Sequence, residues 1–262
     1  MSVALFQDER QFHIKTLPDE VGEYVILPGD PGRVPKIAAY LDDAKLISQN
    51  REYTVYTGYL CGEKVSVCST GIGGPSAAIA IEELIKCGAK TFIRVGTSGG
   101  MNLDVVGGDV VIPSAAIRGD GTSREYLTED YPAVSDFTLT TSLYNAAKRL
   151  CSGKEGDNVH VGVIQSKDSF YGETHPETMP VSNMLKERWG AYLRAGCLTS
   201  EMECATLFSV GLARHVRVGA VIGVLWNVER DGAGLPNPVV KEVPRTIEVA
   251  IEAIKDEIKS RR

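Results

Sequence analysis

Arg94 interrupts an apolar run. Thr91, Phe92, Ile93 and Val95 suit a buried strand, and Gly96-Thr97-Ser98-Gly99-Gly100 stops that strand abruptly. A guanidinium inside such a strand is costly unless something anionic meets it. Glycines and hydroxyls at the strand end can offer backbone N–H groups to the same anion. Two readings fit the stretch taken alone: the floor of an anion site, or an arginine that snorkels to a surface carboxylate.

Other stretches repeat the theme. Tyr24–Leu27 is a short apolar strand that runs into Pro28-Gly29-Asp30-Pro31-Gly32-Arg33, and an amphipathic helix follows over Val34–Leu41. Strand, glycine turn and helix start make an anion cradle, because free N–H groups and the helix dipole face the turn; a plain tight turn with an incidental Arg33 is the other reading. Asn50-Arg51-Glu52-Tyr53 leads into a hairpin of Thr54–Leu60 and Val65–Cys68. The small-residue loop Ser69–Ser76 precedes a helix over Ala77–Ile85. A strand over Asp109–Arg118 follows, and the polar, aromatic Thr122–Asp136 reads as a loop over the site. A helix at Thr140–Leu150, a strand at Val161–Lys167, a proline-containing loop to Pro180 and helices at Asn183–Arg194 and Met202–His215 come next.

Glu201 and Glu203 flank Met202 at the last of these helix starts. Residues i and i+2 do not share a helix face, so one carboxylate points into a cleft while the other is used elsewhere, or both simply favour a helix N-terminus. Val216–Trp226 is a long apolar strand, and Ile247, Ile251, Ile254 and Ile258 lie on one face of a final helix over Val243–Lys259. Strands alternating with helices, without linker or repeat, indicate one α/β domain over residues 1–262.

Composition narrows the function classes. At 262 residues the chain can bury a sizeable core, and a net charge of −6 argues against general nucleic-acid binding. No run approaches the roughly 18 apolar residues of a membrane span. The mixed-polar start, Met1–Arg10, has no apolar signal core. The six cysteines are scattered without CxxC spacing, as reduced packing residues of a cytoplasmic protein would be. The four histidines lack metal-ligand spacing, so no zinc site is expected.

Taken in order, these loops resemble the nucleoside phosphorylase-I family, most closely its uridine phosphorylase branch. The matching residues are Pro28-Gly29-Asp30-Pro31 with Arg33, Asn50–Tyr53, Ser69–Ser76, Ile93–Thr97, Asp168-Ser169-Phe170-Tyr171 and Glu201-Met202-Glu203. The resemblance implies a three-layer fold with a central mixed β-sheet flanked by helices. It also implies phosphorolysis of a nucleoside, with phosphate as co-substrate and no other cofactor required. It assigns the phosphate to Gly29, Arg33, Arg94 and Thr97, with Arg51 from a neighbouring subunit. The ribose falls to Glu201, Met202, Glu203 and a neighbour's His13, and the base to Thr97, Gly99, Phe170, Glu173, Thr178 and Trp226. Arg94, Glu203 and His13 are the implied catalytic residues. Shared sites imply a homodimer, and usually a hexamer built as a trimer of dimers. Glu52, Ile72 and Ser76 match positions that hold a monovalent cation such as K+ between subunits.

The base pocket departs from the branch. Glu173 stands where glutamine is expected and Thr178 where arginine is expected. A carboxylate cannot donate to a carbonyl unless protonated. Asn227 stands where purine-specific relatives use aspartate, and Trp226 is bulkier than the expected aliphatic residue, either narrowing the pocket or packing in the core. Three functions follow: a uridine phosphorylase with rearranged base contacts, a phosphorylase for a purine or other base, or a nucleoside-binding protein of weak catalysis.

Overall fold

The computed structural model describes residues 10–261. The expectation for the N-terminal segment falls mostly on residues 1–9, which lie outside the described residues.

Strand β5 (Thr91–Gly100) lies between two parallel neighbours, β1 (Tyr24–Pro28) and β10 (Arg217–Asn227), with Leu27 and Ala220 opposite Arg94. Strands covered on both faces read as near-continuous apolar runs, as these three do. Beyond β10 the sheet continues through β6 (Val110–Gly119), β8 (Val159–Lys167) and β9 (Thr199–Glu201). β9 then returns to pair antiparallel with the end of β5, Gly99 opposite Ser200. Five strands thus close into a ring whose rim carries the glycine-rich end of β5. On the other side, β1 leads to β4 (Glu63–Cys68), β3 (Tyr53–Leu60) and β2 (Asp42–Asn50), and the short β7 (Ala133–Val134) pairs onto β6.

Side-chain alternation divides the apolar residues into two cores. Val25, Leu27 and Phe92 face α2 (Gly74–Lys86) and α6 (Cys204–Arg214), through Ala77, Ile81, Leu84, Leu207 and Phe208. Tyr24, Ile26, Ile93 and Val95 face α1 (Val34–Ala38), α3 (Phe137–Leu150) and α8 (Arg245–Ser260). The isoleucine stripe at 247, 251, 254 and 258 is buried there as its spacing required. The expected central mixed sheet flanked by helices is the observed architecture.

Two expectations need correction. β2 is a nine-residue strand that the sequence does not announce, because it is an edge with no buried residue and hence no apolar alternation. The segment Thr122–Asp136 does not cover the cavity described below. It folds against β6, where Arg118 donates to the carbonyl oxygens of Ser123 (2.9 Å), Leu127 (2.8 Å) and Tyr131 (2.7 Å). Among the described residues no helix is long and apolar enough to cross a membrane, and no three His, Cys, Asp or Glu side chains gather as a metal cluster.

Candidate active site

A cavity of about 1300 Å³ opens at the C-terminal ends of β1 and β5 and is walled by β8, β9 and the end of β10. Arg94 is buried at its floor. Its Nε donates to Glu201 Oε2 at 2.9 Å, and its Nη2 pairs with the Glu203 carboxylate. Its Nη1 is buried without a hydrogen-bond partner among the described residues, and a Cβ on Gly29 would lie 4.0 Å from it. Gly96 makes room for this guanidinium, since a Cβ there would lie 2.8 Å from Nη2. Burial alone would lower the Arg94 pKa, but Glu203 and then Glu201 push it above its ordinary value.

Arg33 ends a short 3-10 turn (Pro31–Arg33) and donates from Nη1 to the Val95 carbonyl at 3.2 Å. Burial, then the nearby Arg94 charge, pull its pKa down, and it makes no ion pair with a described residue. Two guanidiniums, that of Arg33 and that of Arg94 with its buried Nη1, line the same cavity; the snorkelling reading of Arg94 fails because its partners are buried glutamates.

Glu201 and Glu203 do not part company as their spacing suggested. Both converge on Arg94. Glu201 ends strand β9, where i and i+2 share a face, and Glu203 is the N-cap of α6. Glu201 also accepts from the Ser166 hydroxyl and from the backbone N–H of Glu203 and Cys204, at 2.9 and 3.0 Å. Glu203 Oε1 accepts from the Gly73 N–H at 2.5 Å; Gly73 sits at φ +91°, which favours glycine, and aims that N–H at the carboxylate. Burial raises the Glu203 pKa, Arg94 opposes the rise and Glu201 adds to it.

Thr97, Gly99, Met202 and Trp226 line the same cavity, as do Phe170 and Glu173 on the short α4 (Phe170–Thr174). Trp226 lies across from Gly99, whose Cβ would be 3.7 Å from the indole, so it shapes the pocket rather than the core. Thr178 does not belong to the site. It is exposed in a 3-10 turn (Pro176–Thr178), and its hydroxyl donates to the His175 carbonyl at 2.8 Å.

Among the lining residues that escaped the sequence reading are Gln165, Lys167 and Ser200. The available signal was a pair of polar residues two apart at the end of an otherwise apolar strand. Helix α5 (Ser182–Arg194) also contributes Leu185 and Trp189, and Trp189 donates to Glu229 at 2.7 Å to close the far wall.

Asn227 is fully buried and faces away from the cavity. Its Nδ2 donates to the carbonyls of Asn102 (2.7 Å) and Val105 (2.8 Å), and its Oδ1 accepts from Glu229 N at 2.9 Å to start α7 (Val228–Gly232). Asn227→Asp would turn a carboxylate oxygen toward two buried carbonyls. The expected loss is about 2–4 kcal/mol in urea unfolding, from donors removed and acceptors left unpaired. No new specificity should accompany it; a variant as stable as the parent would show that the carbonyls find other donors.

His13 and Arg51 lie outside this chain's own cavity. His13 Nδ1 and Glu83 Oε1 are 2.7 Å apart, and Arg51 is exposed in the turn between β2 and β3, at φ +54°. Glu52, Ile72 and Ser76 meet at the cavity mouth, where the Ser76 hydroxyl donates to Glu52 Oε1 at 2.7 Å and Ile72 is 77% exposed.

Residues 23–259 match the Phosphorylase superfamily. A uridine phosphorylase of Treponema pallidum is 48% identical over 96% of this chain and 95% of its own length. A uridine phosphorylase of Thermococcus kodakarensis is 43% identical over 84% of this chain and 79% of its own. A guanosine phosphorylase of Halorubrum lacusprofundi is 38% identical over 94% of this chain and 98% of its own.

Proposed function

The chain belongs to the phosphorylase superfamily, and we propose that it cleaves the N-glycosidic bond of a nucleoside, uridine first, with phosphate to give the base and (deoxy)ribose 1-phosphate. It is a uridine phosphorylase-like nucleoside phosphorylase and hence a pentosyltransferase. The carrying observation is the Arg94 Nη1 group, buried and without a hydrogen-bond partner among the described residues, near Gly29 and Arg33. A binding protein with no use for phosphate has no need of that clamp.

The chemistry needs no covalent enzyme intermediate. As the C1′–N bond lengthens, the ribose takes on oxocarbenium character, and the phosphate anion held by Arg33 and Arg94 stabilises that charge and then bonds C1′. Glu203 meets the ribose hydroxyls from the other side of the same guanidinium. Positioning and preorganised charge supply the rate.

His13 and Arg51 serve a neighbour's site in this reading, in a homodimer that assembles further into a hexamer. Their placement outside their own cavity supports it. The oxygen donors of Glu52 and Ser76 fit half of a monovalent-cation site between subunits, Ile72 adjoining. Cysteines without a disulfide among the described residues suit a reducing cytoplasm.

The test is phosphate-dependent release of base from uridine, thymidine, inosine, guanosine and adenosine. Uridine cleavage that vanishes without phosphate is the expected result. Cleavage of guanosine or inosine alone would move the substrate to the purines, and release from none of them would overturn the reading.

A further inference from the structure

Outside the cavity, one buried carboxylate organises the turn that carries His13. Glu83 lies on α2 and is 5% exposed. Its Oε2 accepts from the backbone N–H of His13 and of Ile14, both at 2.9 Å. Its Oε1 lies 2.7 Å from His13 Nδ1. Strand β2 holds the same two residues: Asn50 Nδ2 donates to the His13 carbonyl at 2.7 Å, and Ser48 Oγ donates to the Ile14 carbonyl at 2.6 Å. The imidazole also meets the rings of Phe12 and Tyr53 edge-on, with centres 4.8 and 6.4 Å away.

Burying a carboxylate is costly unless hydrogen bonds replace its water. Two backbone N–H groups would suffice to pin the turn. The remaining contact goes to the ring, and it decides where the ring's proton sits. An ionised carboxylate only accepts, so Nδ1 carries the hydrogen. In a neutral imidazole the other nitrogen is then an acceptor. Nε2 is that acceptor, and no described residue bonds it. The His13 side chain is 26% exposed, so the ring is fixed from behind and open in front.

We propose that Glu83 is a positioning residue that holds His13 with its proton on Nδ1, so that each subunit offers its neighbour's ribose a hydrogen-bond acceptor and demands a donor at C5′. The assignment rests on the shared-site reading, in which His13 reaches the sugar across a subunit boundary. Glu203 takes the ribose hydroxyls beside the phosphate in that reading, which leaves the primary hydroxyl at C5′ for His13. A free 5′-hydroxyl donates to Nε2. A fully ionised 5′-phosphate has acceptors only, so it meets a lone pair with the Glu83 charge behind it. The pair therefore selects nucleosides over nucleotides, although Glu83 itself never touches the substrate. Both ends of the selection come from this chain: α2 supplies the carboxylate, and the turn packed on β2 supplies the ring.

The experiment compares uridine, 5′-amino-5′-deoxyuridine, whose ammonium only donates, and 5′-deoxy-5′-fluorouridine, whose fluorine only accepts, in the oligomer as purified. In the parent, kcat/KM for the fluoro compound should lie about tenfold below that for the amino compound, the cost of an acceptor left without its donor. A glutamine at 83 with its oxygen on the two backbone N–H groups turns its NH₂ to Nδ1 and moves the ring proton to Nε2. Glu83→Gln should therefore close or reverse the gap, whereas a merely structural lesion lowers all substrates alike and keeps the ratio. Nitrogen NMR of the histidine-labelled parent, in mildly alkaline buffer, tests the same point whether or not the variant folds. The signal that disappears in His13→Gln should show Nδ1 protonated and Nε2 bare. A gap unchanged in Glu83→Gln, a parent without preference for the amino compound, or a parental proton on Nε2 would overturn the proposal. If the parent cleaves uridine and His13→Gln leaves every rate unchanged, the shared-site reading falls and this proposal with it. A parent that releases no base from any nucleoside would remove the phosphorolysis reading itself, and both with it.

Discussion

Arg94→Met abolishes measurable phosphorolysis and leaves a folded but weakened protein. In the phosphorolysis reading Arg94 supplies to the phosphate a buried donor that has no hydrogen-bond partner among the described residues, so the loss should reach at least the 10²–10³-fold, about 3–4 kcal/mol, seen when a preorganised donor is deleted. The stability loss has another origin. Glu201 and Glu203 are both buried and both lean on this guanidinium. Breaking a buried ion pair from one side costs about 3–5 kcal/mol, because the charges left behind have no compensation. The variant's deficit should also depend on pH. Burial already raises the Glu203 pKa in the parent, and Arg94 is what opposes the rise. Without it the folded state holds a proton that the unfolded chain gives up near pH 4 to 5. Stability then falls as pH rises from that window up to the raised pKa of the folded state, so the variant should look closest to the parent in acid and worst above neutrality. Urea midpoints at pH 5 and pH 8 measure this, and equal deficits at both would show that Glu203 stays charged without Arg94. Mixing Arg94→Met with Arg51→Ala chains should restore some turnover if Arg51 serves the neighbour's site; no recovery after proven subunit exchange would count against sharing.

The arginine end of the cavity was legible in the sequence because its residues are few, charged and placed at strand ends. An arginine inside an apolar strand leaves little choice, and glycines at 29 and 96 mark where backbone and guanidinium approach closely. Spacing misled where the local structure changed within three residues. Glu201 and Glu203 converge because a strand ends at one and a helix begins at the other, a boundary that helix periodicity does not register. β2 was missed for lack of a buried face. The base end was the least legible. Glu173 could be named, but its partners Lys167 and Ser200 come from two strands whose pairing depends on how the sheet closes on itself. Thr178 failed for a related reason: the proline-bounded turn that carries it spends its hydroxyl locally.

Glu203→Gln is the second large effect, and the near-identity of the two side chains makes it informative. Glu203 accepts at both oxygens, from Gly73 N–H on one side and from Arg94 on the other. A glutamine can face only one of them with its oxygen. With the oxygen toward Gly73, its NH₂ meets the guanidinium; turned over, it meets the Gly73 N–H. Neither arrangement satisfies the site, so a loss of about 1–3 kcal/mol in stability is expected from the donor left unpaired. The kinetic loss should be larger. The carboxylate is the protein's own negative charge at the ribose hydroxyls in this reading, and an oxocarbenium-like transition state is where its charge counts. A fall in kcat of about 10²–10³-fold, with a smaller change in KM for the nucleoside, is the expected pattern for an interaction that strengthens as charge develops. Glu203→Asp keeps the charge but shortens the reach, and should recover stability less than it recovers rate. If Glu203→Gln raised KM and left kcat alone, Glu203 would be a ground-state contact to the sugar, and the transition-state charge would rest on the phosphate alone.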